Sequence, residues 1–269
     1  MKLAFSTLGC PGWTFDEIFA AAKDLKMDGI EVRGLGNEMY APRIGIFSDS
    51  QIEGTMKRMQ EANLCFSQVS SAADLSAADA DKTLKEAKEY IDLACRIGSG
   101  TVRILPENST APTGEKDVGA AAELFAEMCD YGAKVGINPV VETAGYLADS
   151  DVMLKFLKKV NRGNAFALWD IHHPYRYFGE SPVKTASNLE GLIKYVHVKD
   201  SKVVDEKNEY RMMGYGDIPI LECLKELSKR SYDGFVSLEW VKRWSPDLQE
   251  PGIVFAHFAG YMQYLMTQL

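Results

Sequence analysis

Four polar residues at the ends of short apolar runs could together bind one divalent metal ion. They are Glu142, Asp170, His197 and Glu239, and the steps between them are 28, 27 and 42 residues. Three carboxylates and one imidazole without a thiolate favour Mn²⁺, with Mg²⁺, Co²⁺ and Zn²⁺ as alternatives. One such residue alone could be a helix N-cap or part of a loop ion pair, but four on successive runs are hard to explain independently.

The two glutamates of this set could transfer protons beside a carbonyl group. A metal that polarises a carbonyl and a neighbouring hydroxyl lowers the cost of an enediolate. One of Glu142 and Glu239 would remove the adjacent proton, and the other would return it to the opposite face or to the neighbouring carbon. The sequence shows no nucleophile elbow, phosphate-binding loop or Ser/Cys triad spacing, which disfavours acyl or phosphoryl transfer and a phosphorylated substrate.

The spacing of the four residues is that of repeated strand–helix units. Eight apolar, β-branched or aromatic runs alternate with stretches of helical spacing, which predicts a parallel sheet. The runs cover residues 3–7, 29–33, 64–70, 101–105, 137–142, 165–170, 193–198 and 234–239. A (β/α)8 TIM barrel typically needs ~250 residues, so the 269 residues predict one such α/β domain over 1–269, with the four residues meeting at its C-terminal end.

Helix boundaries and the glycine pattern support the barrel over an open sheet. Thr14 and Glu17 have capping-box spacing, helices are expected over 81–97, 117–135 and 151–160, and Pro251 suits the first position of a last helix. An open doubly wound sheet would carry a glycine-rich dinucleotide turn after an early strand. Gly34 and Gly36 are the nearest match, and they lack the third glycine and the start of a helix.

Composition limits the partners and the compartment. A net charge of −8 without a basic cluster argues against a nucleic-acid partner. No stretch approaches the ~20 apolar residues that would span a membrane. Five scattered cysteines without CxxC spacing indicate reduced thiols and a cytoplasmic location. We therefore expect a small-molecule partner, and self-association into a homo-oligomer stays open.

Five further residues are candidate substrate contacts. His173, three residues after a metal carboxylate, could contact a substrate hydroxyl, although a histidine there could be an ordinary loop residue. Arg211 and Lys199 could clamp a substrate oxygen, or could be solvated loop charges. Glu107 could line the mouth of the barrel, and Trp13 near a strand end could form part of an apolar wall for a sugar, although most aromatics are core.

Three other polar residues are interpreted as structural. Arg103 lies inside the fourth run, where an arginine is expected to form an ion pair with Glu31 in the barrel interior. His257 falls on the last predicted helix and is expected to support the fold. Two glycines, Gly214 and Gly216, suit a tight turn before a helix that begins near residues 217–219.

Five local motifs resemble the xylose-isomerase-like TIM-barrel superfamily, and more narrowly its sugar phosphate isomerase/epimerase branch. They are Val-Glu142-Thr-Ala-Gly, Trp-Asp170-Ile-His-His173, Tyr-Val-His197-Val-Lys-Asp, Gly214-Tyr-Gly-Asp-Ile-Pro219 and Val-Ser-Leu-Glu239-Trp. The resemblance spans nearly the whole chain. It implies a Glu/Asp/His/Glu metal site in which the two glutamates are the acid/base pair, with His173 and Arg211 as substrate contacts.

The leading hypothesis is a metal-dependent isomerase or epimerase of a small sugar or related polyol ketone. The alternative is an inosose-type dehydratase, a lyase that uses the same proton abstraction and then expels a hydroxyl. Thr143-Ala-Gly-Tyr follows the first ligand where many ketose epimerases resembling this chain have Asn and a second Glu, which is closer to the dehydratase-like members. Four histidines and an acidic chain disfavour an abasic-site endonuclease, and a non-catalytic sugar-binding barrel is the remaining alternative.

Overall fold

The computed structural model describes residues 1–114 and 116–269 and contains a closed eight-stranded barrel. Within these residues the strands are Lys2–Ser6 (β1), Gly29–Val32 (β2), Cys65–Asp74 (β3), Thr101–Leu105 (β4), Asn138–Glu142 (β5), Phe166–Asp170 (β6), Ile193–Val198 (β7), Asp200–Val204 (β8), Lys207–Arg211 (β9) and Phe235–Leu238 (β10). All eight runs predicted from the sequence are barrel strands. The largest difference is that β3 runs past Ser70 to Asp74.

The barrel strands are parallel and lie in the order β1-β10-β7-β6-β5-β4-β3-β2. Each strand is therefore paired with its neighbours in the sequence of barrel strands, and β1 closes the ring against both β2 and β10. This arrangement confirms the predicted single (β/α)8 barrel. Because all eight strands are parallel, their C-terminal ends lie on one face, where the candidate ligands stand.

Helices surround the barrel, and five of the nine in the described residues begin at a residue whose side chain caps the first turn. In the described residues they are Phe15–Asp24 (α1), Ile52–Glu61 (α2), Ala80–Arg96 (α3), Val118–Ala133 (α4), Ser150–Val160 (α5), His172–Phe178 (α6), Pro182–Asn188 (α7), Ile220–Lys229 (α8) and Pro251–Met266 (α9). Thr14 and Glu17 form the predicted capping box of α1. No helix among these residues has the length and apolar character needed to cross a membrane.

A small apolar layer inside the barrel supports the functional end. Val140, Leu168 and Tyr195 form a buried cluster of their own, against which Phe166 and Phe235 pack. Side chains alternate between the two faces of a strand, so residues two positions further along point into the same interior. Three of the four candidate ligands hold those positions, which places them directly above the apolar layer.

An antiparallel hairpin, β8 and β9, follows β7 where only a loop was expected. The buried carboxylate of Asp200 holds its base by accepting backbone N–H bonds from Ser201 (2.9 Å), Gly214 (2.8 Å), Gly216 (2.9 Å) and Ile218 (3.2 Å). Burial raises the pKa of Asp200, and these four bonds act in the opposite direction. A Cβ at Gly216 would overlap this carboxylate, which explains the glycine better than turn geometry alone.

Candidate metal centre and active site

Glu142, Asp170, His197 and Glu239 meet at the C-terminal end of the barrel, as the sequence spacing predicted. Each offers one ligand atom, and these four atoms all lie within 4.8 Å of one another. All four residues are buried, with exposures of 5% or less. The step lengths along the chain thus correspond to neighbouring strands that bring one side chain each to a common point.

The neighbouring backbone fixes the Asp170 carboxylate. Its Oδ1 accepts the backbone N–H of His172 at 2.9 Å. The backbone of Asp170 is itself held by Thr143, whose hydroxyl accepts the Asp170 N–H at 2.9 Å. Oδ1 is therefore occupied by the backbone, and Oδ2 is the oxygen that faces the other three candidate ligands.

The imidazole of His197 is held from behind by Glu31. Its Nε2 lies 3.0 and 3.1 Å from the two Glu31 oxygens. Ser70 and Ser237 donate hydroxyl hydrogen bonds to the same carboxylate at 2.6 and 2.7 Å. Burial alone would raise the pKa of Glu31, but His197 and the serine hydroxyls hold this pKa at about 2, so Glu31 is charged and Nε2 is its donor.

The opposite ring nitrogen, Nδ1 of His197, is buried without a hydrogen-bond partner among the described residues. It lies 3.6 Å from Glu239 Oε1, 3.8 Å from Glu142 Oε1 and 4.0 Å from Asp170 Oδ2. Ligand atoms that share one ion at roughly 2.0–2.2 Å lie about 3–4 Å apart. An unpartnered imidazole nitrogen among three carboxylate oxygens therefore fits a divalent cation.

The balance of charges in the site also favours a bound divalent cation. Four buried carboxylates surround the imidazole of His197: Glu31 lies at Nε2, and Glu142, Asp170 and Glu239 lie around Nδ1. Two buried cations, Arg103 and Lys199, lie among them. With neutral imidazoles, two negative charges are left uncompensated, and buried charge without compensation is costly. One divalent cation supplies the missing charge, and without it the carboxylates raise the pKa of His197 well above its usual value despite the opposing effect of burial.

Arg103 belongs to this site, and the expectation of an ion pair between Arg103 and Glu31 was wrong. Its Nη1 lies 3.2 Å from Glu142 Oε2 and 3.2 Å from Glu239 Oε1. A second nitrogen, Nη2, donates to the carbonyl oxygen of Ser71 at 3.0 Å. Burial would raise the pKa of Glu142, but Arg103, with help from the nearby imidazoles, holds it well below the usual value. Arg103 thus favours the ionised form of Glu142 and also contacts Glu239.

Lys199 is the second cation between the candidate ligands. Its Nζ donates to Asp170 Oδ2 and to Glu239 Oε2, each at 2.5 Å, and only 1% of the residue is exposed. Burial would lower its pKa, but the two carboxylates raise it well above the usual value. Lys199 is therefore a charged, fixed donor inside the site and not a solvated loop residue.

His173 points a free nitrogen into the site. Its Nδ1 lies 2.9 Å from the carbonyl oxygen of Thr143, and a carbonyl only accepts, so Nδ1 carries the proton. Its Nε2 has no partner in the described part of the chain and lies 3.7 Å from Asp170 Oδ2. Burial lowers the pKa of His173, so Nε2 is available as an acceptor. His172 instead turns its Nε2 towards Ser201 Oγ, 2.8 Å away.

A cavity of about 600 Å³ opens above these residues. Its charged lining residues are Arg33, Arg103, Glu107, Glu142, Lys199 and Glu239. Tyr210 and Trp244 also line it, and Trp244 is 60% exposed. Glu107 and Lys199 therefore lie where the sequence placed them, at the wall of a pocket of the size that small-molecule sites have.

Three of the five candidate substrate contacts do not line this cavity in the described residues. His173 is fully buried next to Asp170, and Arg211 and Trp13 lie elsewhere. Arg211 pairs with Glu209 on the hairpin, because alternation along β9 points Tyr210 to the cavity and Arg211 to the other face. Trp13 packs its edge against Phe255 of α9, with ring centroids 5.6 Å apart. Neither residue lines the cavity in this structure.

Several residues of the site could not be found from their own sequence contexts. Arg103 and Glu31 were recognised as interior residues, but the strand pattern does not tell which charges meet across the ring. Arg33 directly follows β2, and its position at a strand end was the one available signal. Tyr210 and Trp244 lie in segments whose structure was not predicted.

The whole chain resembles known proteins of one family. A model of the xylose isomerase-like TIM barrel family matches residues 19–255. The chain is 22% identical over 252 residues to fructoselysine 3-epimerase of Shigella flexneri, covering 90% of each protein.

Two solved structures among those that match share this barrel. The probable 3-DHS dehydratase AsbF, involved in petrobactin synthesis in Bacillus anthracis, superposes with a TM-score of 0.82 at 18% identity, covering 98% of this chain and 99% of that chain. IOLI protein, whose structure contains a bound zinc atom, superposes with a TM-score of 0.76 at 16% identity, covering 97% and 96%. The curated relative supports the expectation of an enzyme of the isomerase and epimerase class. The chain belongs to the xylose isomerase-like TIM barrel family.

Proposed function

We propose that this chain is a divalent-metal-dependent enzyme that isomerises or epimerises a small sugar or related polyol ketone by moving a proton next to its carbonyl. One observation carries the proposal. Glu142 and Glu239 approach the same point from strands β5 and β10, with β6 and β7 between them. Two carboxylates on different sides of one substrate can act as a base and as an acid in turn.

We propose Glu142, Asp170, His197 and Glu239 as the ligands of one metal ion. The bound ion would polarise the substrate carbonyl and stabilise negative charge that develops on its oxygen. The protein side chains supply the rest of the chemistry. One glutamate, ionised, takes the proton from the carbon beside the carbonyl, and the other, which enters the step protonated, donates its proton to the opposite face or to the neighbouring carbon. Proton exchange with solvent then restores both groups, and Arg103 holds the two carboxyl groups in position.

His173, Lys199 and Glu107 are the proposed substrate contacts. The free Nε2 of His173 can accept a hydrogen bond from a substrate hydroxyl, because its other nitrogen is fixed on Thr143. Lys199 can donate to a substrate oxygen from its place between Asp170 and Glu239. Glu107 can accept from a hydroxyl further out, since it lines the same cavity.

We propose Mn²⁺ as the metal because three carboxylates and one imidazole form a hard ligand set. Zinc is the alternative, since the IOLI protein holds a zinc atom. Metal analysis of the purified protein, followed by reloading with each ion, tests the choice. Higher turnover with zinc than with manganese at equal occupancy would contradict the assignment to Mn²⁺.

A dehydratase is the second candidate, and Lys199 favours it. The ammonium group of Lys199, held between Asp170 and Glu239, can donate a hydrogen bond to a departing hydroxyl and stabilise its negative charge. The likeness in fold to a probable dehydratase also supports this candidate. Both reactions begin with the same proton abstraction, so only the products distinguish them.

Proton NMR in D₂O tests the proposal with the manganese-loaded protein and a panel of ketoses, inososes and fructoselysine. We expect deuterium to enter at the carbon beside the carbonyl. An epimer or isomer as product supports the leading function, and a vinylic signal with loss of water supports the dehydratase. Exchange should fall roughly 10²–10⁴-fold in Glu142→Gln and Glu239→Gln, the range for general acid–base catalysis.

Controls separate proton transfer from metal binding. Metal content is measured for each variant, because both glutamates are also proposed ligands. Glu190→Gln changes an exposed carboxylate that is 66% accessible and should leave exchange unchanged. Undiminished exchange in both glutamine variants would refute the proposed base pair. If the protein binds members of the panel but exchanges a proton in none of them, a non-catalytic sugar-binding barrel would be favoured instead.

A further inference from the structure

Arg33 is a charged side chain of the cavity that no carboxylate of the described residues contacts at salt-bridge distance. It directly follows β2, is half-buried and lines the cavity beside Arg103. Its guanidinium makes no hydrogen bond and no salt bridge with residues 1–114 or 116–269. The backbone there is fixed, because Arg33 donates its N–H to Thr7 Oγ1 at 2.9 Å, and Thr7 donates its hydroxyl to Gly34 at 2.6 Å.

The other charged residues of the cavity wall all have partners of opposite charge. Arg103 contacts Glu142 and Glu239, and Lys199 contacts Glu239. Glu107 lies at the outer wall and has partners of its own. It accepts from the backbone of Tyr146 at 2.7 Å and from the hydroxyl of Thr113, and Lys116 lies 3.7 Å away. Arg33 therefore differs from every other charged group of this wall.

Charge counting places one excess positive charge in the cavity once the metal site is filled. A divalent cation offsets the two negative charges that remain among the four buried carboxylates, Arg103 and Lys199. Within residues 1–114 and 116–269, Arg33 then has no carboxylate of its own at salt-bridge distance. Burial and the nearby Arg103 lower the pKa of Arg33 to about 10, so the side chain is still charged at neutral pH. A half-buried guanidinium in such surroundings attracts an anion.

A single excess charge fits a carboxylate better than a phosphate. A carboxylate carries one negative charge and matches the fork of a guanidinium with two parallel hydrogen bonds. A phosphate group carries about −1.5 to −2 at neutral pH, and the described wall offers no second unpaired cation to balance it. The sequence also lacks a phosphate-binding loop.

We propose that Arg33 binds a carboxylate group of the substrate, so the substrate is an acidic sugar or cyclitol ketone and not a neutral ketose. This inference rests on the proposed function, whose substrate class it narrows. The metal end of the cavity takes the carbonyl and its neighbouring hydroxyl, while Arg33 recognises the acidic group. Arg33 is a specificity-determining residue in this scheme and takes no part in proton transfer.

The test compares three linear six-carbon polyols that differ in one terminal group. D-Glucitol is neutral, D-gluconate carries a carboxylate at C1, and D-glucitol 1-phosphate carries a phosphate at C1. Each is titrated by calorimetry into the manganese-loaded wild type and into Arg33→Met, which keeps the aliphatic length and removes the charge. The wild type should prefer D-gluconate over D-glucitol by about tenfold or more, the range for charged hydrogen bonds, and Arg33→Met should lose that preference.

The comparison between variants removes the effect of direct contact between a carboxylate and the metal. Such contact would persist in Arg33→Met, so only the part that depends on Arg33 supports the proposal. Arg33→Lys keeps the charge without the fork and should retain part of the preference. Arg43→Met, which changes an exposed arginine stacked on Tyr40, controls for folding together with manganese content and thermal melting.

Three results would overturn the proposal. They are equal affinity of the wild type for D-gluconate and D-glucitol, no measurable binding of D-gluconate by the loaded protein, and an unchanged preference in Arg33→Met. Tighter binding of D-glucitol 1-phosphate than of D-gluconate, lost in Arg33→Met, would also overturn it, because Arg33 would then recognise a phosphate. The D-gluconate preference is a binding measurement and does not depend on turnover. It therefore tests the role of Arg33, whereas proton exchange in Glu142→Gln tests the proposed function, and either proposal can fail while the other holds.

Discussion

Replacing Glu31 by glutamine isolates the support that holds His197 in place. Glu31 contacts the ring at Nε2, on the side away from the candidate metal ligands. The substitution keeps nearly the same shape and one oxygen acceptor, but removes the negative charge. The amide also brings an N–H₂ group, which can donate to Nε2 and so move the ring proton to Nδ1. In that tautomer His197 cannot act as a ligand.

The structure sets the expected size of the effect. Residues that orient a metal-bound histidine are worth about 10–100-fold in metal affinity. We expect the upper end, about 2.7 kcal/mol for a hundredfold change, because two losses add. The net charge of the buried site falls from two negative charges to one, and the carboxylate that accepts from both Ser70 and Ser237 is no longer there to accept both.

The assay is a competition between the protein and a chromophoric chelator for Mn²⁺ and, separately, for Zn²⁺. The matched control is Ser67→Ala, which changes the barrel interior at the contact between Ser67 and the Tyr195 hydroxyl, 2.8 Å apart, without touching Glu31. Affinity should be nearly unchanged in this control. A loss of less than about threefold in Glu31→Gln, with the fold intact by circular dichroism, would refute the idea that Glu31 sets the ring tautomer.

Two further predictions concern pH and the hairpin. The pKa of His197 is raised well above its usual value. Because the proton on Nδ1 must leave before a metal binds there, the affinity for Mn²⁺ should rise by up to tenfold per pH unit from about pH 6 to about pH 8. Chelator competition across this range checks it, and a flat profile would contradict the assignment of Nδ1 as a ligand atom. Asp200→Asn replaces an acceptor of four backbone N–H groups by an amide with one oxygen, so urea denaturation should show a loss of about 1–3 kcal/mol. Unchanged stability would mean that the hairpin base does not depend on this carboxylate.

The strands and the ligand quartet were predictable because both depend on local patterns. Each apolar run has the length of a barrel strand, and parallel strands place their last residues on one face whatever the details of packing. Glu142 and Asp170 therefore reach the same place without any knowledge of their neighbours. Knowing that the sheet closes was sufficient to predict that they meet.

What could not be predicted depends on contacts across the ring or on unusual turns. Arg103 was expected to face Glu31, and it contacts Glu142 and Glu239 instead, because the stagger of strands decides which interior side chains share a level. The hairpin was missed because its two turn residues, Asp205 and Glu206, both have positive φ. Two-residue turns of this kind are usually recognised by an Asn-Gly or Asp-Gly pair, which is not present here.

The hairpin β8–β9 has a fixed base and a free tip, and this difference matters for how such a barrel can diversify. Asp200 anchors the base next to Lys199, whereas residues 205–208 at the tip are exposed. Insertions and substitutions are tolerated best at exposed tips. Changes in the length or sequence of the hairpin tip should therefore leave the candidate metal centre unchanged. Libraries that vary the length and sequence of residues 205–208 would measure this tolerance.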